Sequence, residues 1–260
     1  MRGAKGFPIR RSLKSRALPD SATTTAETTI HLHPTAPLSE RVLLPGDPGR
    51  ALALAQLLLV EPKMFNHNRG LWGYTGEATD GLPLTIQATG MGGPSAAIVL
   101  EELIALGARR AIRVGTCGAL APTLALGDLV VAREAISADG TSRALGAGDR
   151  VAADAALTDA LARSAPSARV GAVVSVDLFY EREGSRADAY ADAIAIEMEA
   201  AALFAIGAAA DLAVACVLAV TDTFAPGGER TRIDEHGLRA AGARLGEVAL
   251  AALGPMPRAA

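Results

Sequence analysis

Five short segments of this chain combine glycine, hydroxyl, arginine and carboxylate groups in patterns that chemistry can use. In Leu44-Pro45-Gly46-Asp47-Pro48-Gly49-Arg50 a buried strand gives way to a helix. Gly46 lets backbone approach a ligand, Pro48 suits a first helical turn, and the N–H groups of a helix start face an anion that Arg50 can clamp. An ordinary turn with a solvated arginine is the competing explanation. Thr89-Gly90-Met91-Gly92-Gly93-Pro94-Ser95 repeats strand, glycine turn and helix, with neither the lysine of a Walker loop nor the GxGxxG spacing. In Arg113-Val114-Gly115-Thr116-Cys117-Gly118 an arginine ends an apolar strand, which is costly unless an anion answers it. Thr116, read as part of the glycine turn that follows, adds a hydroxyl and a backbone donor. Glu197-Met198-Glu199 projects two carboxylates the same way if the stretch is extended. They could grip paired hydroxyls or answer Arg113, while Glu199 could equally serve as a carboxylate at a helix start. Thr221-Asp222 closes the longest apolar run. A carboxyl there can have a raised pKa and give a proton to a leaving group, with helix capping as the alternative.

Those segments need a scaffold, and the pattern between them supplies one. Short apolar runs predict strands over 41–44, 73–79, 84–88, 111–114, 128–132, 170–176, 193–196 and 213–220, and helical periodicity predicts helices over 49–59, 94–106, 152–163, 199–210 and 233–253. This alternation predicts a single α/β domain over 29–260 with a mixed, largely parallel sheet between helices, in which ligands gather at the carboxyl ends of strands. The Gly-, Asp- and Ser-rich stretch 137–150 reads as a long surface loop. Residues 1–28, basic and then polar without apolar periodicity, read as a disordered extension. Arg10-Arg11 lacks the apolar stretch of an export signal.

Composition narrows the classes. The 260 residues are 50% hydrophobic with a net charge of −3, and no apolar run is long enough to span a bilayer. The mild acidity argues against a general nucleic-acid surface. Cys117 and Cys216 lie far apart in apolar surroundings without metal-ligand spacing, so neither a disulfide framework nor a zinc site is expected, and a reducing cytoplasm is the natural compartment. Cys117 has no positioned histidine and reads as a small buried hydrophobe rather than a nucleophile. Only 3% of the residues are aromatic, so Ala, Leu and Val must build the core.

Taken together, PGDPGR, the Asn68-Arg69-Gly70 triplet, TGMGGPS, RVGTCGA, the DLFY of Asp177–Tyr180 and EMEA resemble the nucleoside phosphorylase family, which includes hexameric purine nucleoside phosphorylases, uridine phosphorylases and methylthioadenosine phosphorylases. The resemblance runs from about Ile30 to Leu253 and implies an α/β fold with a partly barrel-like mixed sheet. It also implies a reaction in which phosphate, as co-substrate, displaces a base from ribose without any cofactor or metal. By residue matching it implies phosphate binding by Gly46, Arg50, Arg113 and Thr116, with Arg69 reaching a neighbouring subunit's phosphate. Met198 and Glu199 would hold ribose beside Glu197, Phe179 would pack on base or sugar, and His31 would meet the 5′-hydroxyl across the interface, with His33 as its rival. Asp222 would protonate purine N7, helped by an arginine for which Arg230 and Arg232 are candidates, although neither has the family's spacing. A homohexamer with shared sites is the implied assembly.

Within that family the chain leans one way. Gly184 to Ile196 is too short for the uracil-reading insertion of uridine phosphorylases, and Asp222 is present, which favours purines. Arg50, Arg69 and Arg113 favour phosphorolysis over the hydrolysis of related nucleosidases. Methylthioadenosine phosphorylases share nearly every motif and remain an alternative. A non-catalytic purine- or phosphate-binding module would lack at least one of Arg113, Glu199 and Asp222, and a dinucleotide redox enzyme would need the absent GxGxxG.

Overall fold

The computed structural model describes residues 29–180, 190, 192–225 and 229–255. The expected N-terminal extension, 1–28, lies outside them, as does much of the short segment that separates the chain from uridine phosphorylases. In chain order the elements are β1 (Arg41–Leu44), α1 (Pro48–Leu58), β2 (Leu59–Asn66), a 3-10 turn (Asn68–Gly70), β3 (Gly73–Ala78), β4 (Pro83–Gln87), α2 (Gly93–Ala105), β5 (Arg110–Ala119), β6 (Leu129–Ala138) and α3 (Gly140–Ala144). There follow β7 (Arg150–Ala152), α4 (Ala155–Ser164), β8 (Arg169–Val176), β9 (Ala195–Glu197), α5 (Ala200–Ala210), β10 (Ala213–Phe224), β11 (Arg230–Arg232) and α6 (Glu235–Leu253).

All eleven strands among the described residues join one sheet. Parallel β4, β1 and β5 lie side by side. β5 also pairs with β10 and with β9, and the pairings β10–β6, β6–β8 and β8–β9 close β5, β10, β6, β8 and β9 into a five-stranded mixed barrel. The mixed, partly barrel-like sheet flanked by helices is therefore as expected, but it is not largely parallel: among the described residues β2–β3, β3–β4, β5–β9, β6–β7, β6–β10 and β10–β11 are antiparallel pairs. Two apolar clusters line its faces, and the side chains filling them are mostly Ala, Leu and Val. α5 (AAALFAIGAAA) is apolar all round and buried along most of its length, as such a helix must be. Small side chains let it lie close to the barrel: a Cβ on Gly207 would stand 2.5 Å from the Val214 side chain.

Three local readings need correction. The 137–150 stretch is not a long loop: it begins with the end of β6, contains α3 and ends on Arg150 in β7. Asp139, 1% exposed, caps α3 by accepting from the Ser142 N–H and hydroxyl, a short polar motif that periodicity does not register. β2 went unseen because Pro62 and the left-handed Glu61 (φ 47°) interrupt it, at a shift in its register with β3. Finally, β5 does not end at Arg113 but continues through Thr116 to Ala119, paired with β10 as far as Gly118. Thr116 is thus a half-buried strand residue rather than part of a turn.

Candidate active site

The parallel strands place the first three segments together. Leu44, the last residue of β1, pairs with Arg113 in β5, so the turn after β1 extends over the residues that follow Arg113. There Arg50 Nη1 donates to the Val114 carbonyl at 3.4 Å, and the Asp47 carboxylate caps α1 by accepting from the Arg50 N–H at 2.7 Å. The turn after β4 is tied to the first by the Thr89 N–H, which donates to the Pro45 carbonyl at 2.9 Å. Gly90 and Gly92 both have left-handed φ angles, 75° and 84°, and a Cβ on Gly90 would stand 2.5 Å from the Ser95 Oγ. Other residues at either position would strain the turn after β4.

Arg113 is the centre of the site. It is 4% exposed, with Nε donating to Glu197 Oε2 at 2.9 Å and Nη2 to Glu199 Oε2 at 2.5 Å. The anion expected for a buried arginine is therefore a pair of carboxylates. Its guanidinium lies over Gly115, where an added Cβ would stand 2.7 Å from Cζ, and near Gly46, whose Cβ would stand 3.9 Å from Nη1. Burial opposes the charge on Arg113, but Glu199 and Glu197 outweigh it and hold the guanidinium above its ordinary pKa. Burial lowers the pKa of Arg50. Asp47 opposes that shift and the nearby Arg113 reinforces it. Arg50 thus reaches the residue next to Arg113, and the two positive charges oppose each other.

The two glutamates, expected to face one cavity together, do different work. Glu197 has its side chain fully buried and accepts from Arg113, from the Ser175 hydroxyl and from the N–H groups of Glu199 and Ala200. The capping carboxylate of α5 is therefore Glu197, and no side-chain cap comes from Glu199. Burial pushes the Glu197 carboxyl up, partly offset by Arg113. Glu199 bridges Arg113 to the Gly92 N–H, which donates to Oε1 at 2.5 Å. Met198 lies half-buried between them. The sequence offers only one signal for Ser175, a hydroxyl inside the apolar run of β8.

Asp222 sits where β10 breaks register with β5 and pairs with Gly118. It is 5% exposed. Thr221 Oγ1 donates to Oδ2 at 2.8 Å, Arg230 Nε donates to Oδ1 at 2.7 Å, and Arg232 Nη1 stands 3.2 Å from Oδ1. Strand β11, which the sequence pattern did not reveal, pairs Arg232 directly with Asp222. Both arginine candidates therefore reach Asp222, Arg230 more closely. The Arg230 guanidinium also lies 4.6 Å from the centroid of the Phe179 ring, a cation–π contact, and Phe179 meets Tyr180 edge-on.

His31 and Arg69 form a separate patch. Asn68 Nδ2 donates to the His31 carbonyl at 2.9 Å, which ties the turn carrying Arg69 to the segment carrying His31. Arg69 is exposed, at φ 57°, with no hydrogen bond or ion pair among the described residues, and His33 Nε2 turns back to the Ile30 carbonyl. Cys117 and Cys216 are free and buried, and burial pushes both thiols well up, which suits packing rather than nucleophilic attack. Among the described residues no cluster of His, Cys, Asp and Glu could hold a metal, and no helix is long and apolar enough to cross a membrane.

Comparison with known proteins matches residues 40–253 to the phosphorylase superfamily. The chain is 36% identical over 204 residues to a DeoD-type purine nucleoside phosphorylase of Alkaliphilus metalliredigens (strain QYMF), an alignment covering 75% of this chain and 87% of that protein. It is 35% identical over 220 residues to a protein of the same name from Clostridium beijerinckii, covering 80% and 92%, and 35% identical over 210 residues to one from Geobacillus kaustophilus, covering 76% and 86%.

Proposed function

The chain belongs to the phosphorylase superfamily, and from that membership we propose that it is a pentosyltransferase that splits purine nucleosides with phosphate, releasing the free base and ribose 1-phosphate for purine salvage. The observation that carries this reading is that Arg50 reaches the Val114 carbonyl, next to Arg113 on β5, while Glu199 pairs with Arg113 and Asp222 lies further along the same pair of strands. Arg113 gives Nε and Nη2 to the glutamates, which leaves its Nη1 and the Arg50 guanidinium to meet a bound anion, and a hydroxyl-binding carboxylate with a separate proton donor calls for a glycosidic bond between them.

In this reading the Gly46 backbone, Arg50, Arg113 and Thr116 bind phosphate, joined by Arg69 of the partner subunit. Glu199 accepts from the ribose hydroxyls, Met198 and Phe179 pack against the nucleoside, and His31 of the partner subunit meets the 5′-hydroxyl. Glu197, already saturated with protein donors, acts through Arg113 and the start of α5 rather than on ribose. A phosphate oxygen forms the new bond to C1′ as the C1′–N9 bond breaks and its electron pair passes to the purine. The Asp222 carboxyl gives its proton to N7, and Arg230 stabilises the carboxylate left behind. As phosphate becomes an ester it releases a proton, and Asp222 regains one through solvent, which closes the balance. The anchored anion and the held sugar supply orientation before any bond changes.

Shared sites require at least a dimer, and a homohexamer is the assembly we assign. Two buried, unpaired cysteines suit a reducing cytoplasm. A coupled assay of inosine, adenosine, uridine and 5′-methylthioadenosine, each with and without phosphate, tests base class and reaction together. The expected result is phosphate-dependent release of hypoxanthine and adenine from the first two. A preference for uridine, or equal release after phosphate is removed, overturns the reading.

A further inference from the structure

Glu102, on the last turns of α2, belongs to none of the motifs above, yet its carboxylate gathers the segment that carries His31. The Ile30 N–H donates to Oε1 at 3.1 Å, the His31 N–H to Oε1 at 3.0 Å and Oε2 at 3.1 Å, and the Leu32 N–H to Oε2 at 2.7 Å. The His31 ring adds a fourth partner, with Nδ1 2.7 Å from Oε1. Three successive backbone donors on one side chain fix both the path of the segment and the aim of the ring.

The chemistry of the pair then sets the ring's proton. A carboxylate only accepts, so Nδ1 must be the donor, and in a neutral imidazole the other nitrogen, Nε2, is left as an acceptor. Although burial pushes the Glu102 carboxyl up, the Leu32 N–H, the His31 ring and the remaining N–H groups hold it below its ordinary value, which keeps it in the accepting form. His31 Nε2 has no partner among the described residues. His33 differs, because its Nε2 is engaged by the Ile30 carbonyl of its own segment.

We propose that Glu102 is a positioning residue that presents His31 Nε2 as a hydrogen-bond acceptor, and that this pair makes the site select nucleosides whose 5′ substituent is a hydroxyl donor over those carrying a 5′-deoxy or 5′-methylthio group. The proposal rests on the phosphorolysis reading and on His31 as the 5′ contact. A hydroxyl exchanges its hydrogen bond to water for one donated to Nε2, whereas a methyl or thioether leaves the acceptor unmet.

The test is phosphorolysis of inosine and of 5′-deoxyinosine by the full-length wild-type protein, Glu102→Gln, His31→Ala and the double variant. Wild type is expected to favour inosine in kcat/KM by about tenfold or more. In Glu102→Gln and in His31→Ala that ratio falls toward one, and the double variant is no worse than His31→Ala. A wild-type ratio near one, an equal fall on both substrates in Glu102→Gln, or additive effects in the double variant would overturn the proposal. Should Glu102→Gln fold poorly, nitrogen-15 shifts of the wild-type His31 ring decide the same point: the proton is expected on Nδ1 at neutral pH, and a proton on Nε2 refutes it. Turnover of both nucleosides without preference would sink this inference alone, while no phosphate-dependent turnover of any nucleoside would sink the functional reading beneath it.

Discussion

Asp222→Asn lowers kcat/KM for inosine by about 10²- to 10³-fold, the range expected when a general acid is lost, and changes 7-methylguanosine far less. The base of 7-methylguanosine already carries a positive charge and leaves without a proton, so the comparison separates proton donation from folding or binding. Asparagine can still accept from Arg230 and Arg232, which keeps the local geometry of the β10–β11 pair. Steady-state rates on the two substrates read the effect. A uniform loss on both would remove Asp222 from the proton-transfer step and leave it a structural partner of the two arginines.

Arg113→Ala has the second large effect, and it acts on two observables. If Arg113 binds phosphate as proposed, the anion loses a buried, charge-assisted contact, and kcat/KM for phosphate should fall by about 10²- to 10³-fold. Stability should fall as well, by about 3–5 kcal/mol, because Glu197 and Glu199 would remain buried without their common partner. Adding Glu197→Gln to Arg113→Ala removes one stranded charge and should recover part of the denaturation midpoint without recovering phosphate use. If the second substitution restored catalysis, Arg113 would be a framework residue rather than a phosphate ligand. If it lowered stability further, the electrostatic account of the pair would be wrong.

The parts of this site that the sequence made legible are those built by local chemistry. The turns at Gly46 and at Gly90–Gly92 follow from glycine, proline and capping residues within seven positions, and the strands and helices flanking them lie within a residue or so of their expected ends. The demand that Arg113 meet an anion follows from the cost of burying a charge, and Glu197 and Glu199 meet it together. What escaped depends on contacts distant in sequence. β5 outruns its apolar stretch because β10 pairs along it as far as Gly118, and the bulge between Val220 and Asp222 carries β10 four residues past its own apolar run. Ser175 and Glu102 act on partners 22 and 71 residues away. Nothing in their neighbours announces those partners. The chain's few aromatics were a better guide: Phe179 and Phe224, both partly exposed, lie against Arg230 and Gly118 beside Asp222.

The most direct measurement is the identity of the sugar product. Inosine incubated with the protein and phosphate, followed by phosphorus-31 and proton nuclear magnetic resonance, should yield ribose 1-phosphate and hypoxanthine in equal amounts, with no reaction when phosphate is withheld. Free ribose appearing at the same rate with or without phosphate would contradict the account at its centre.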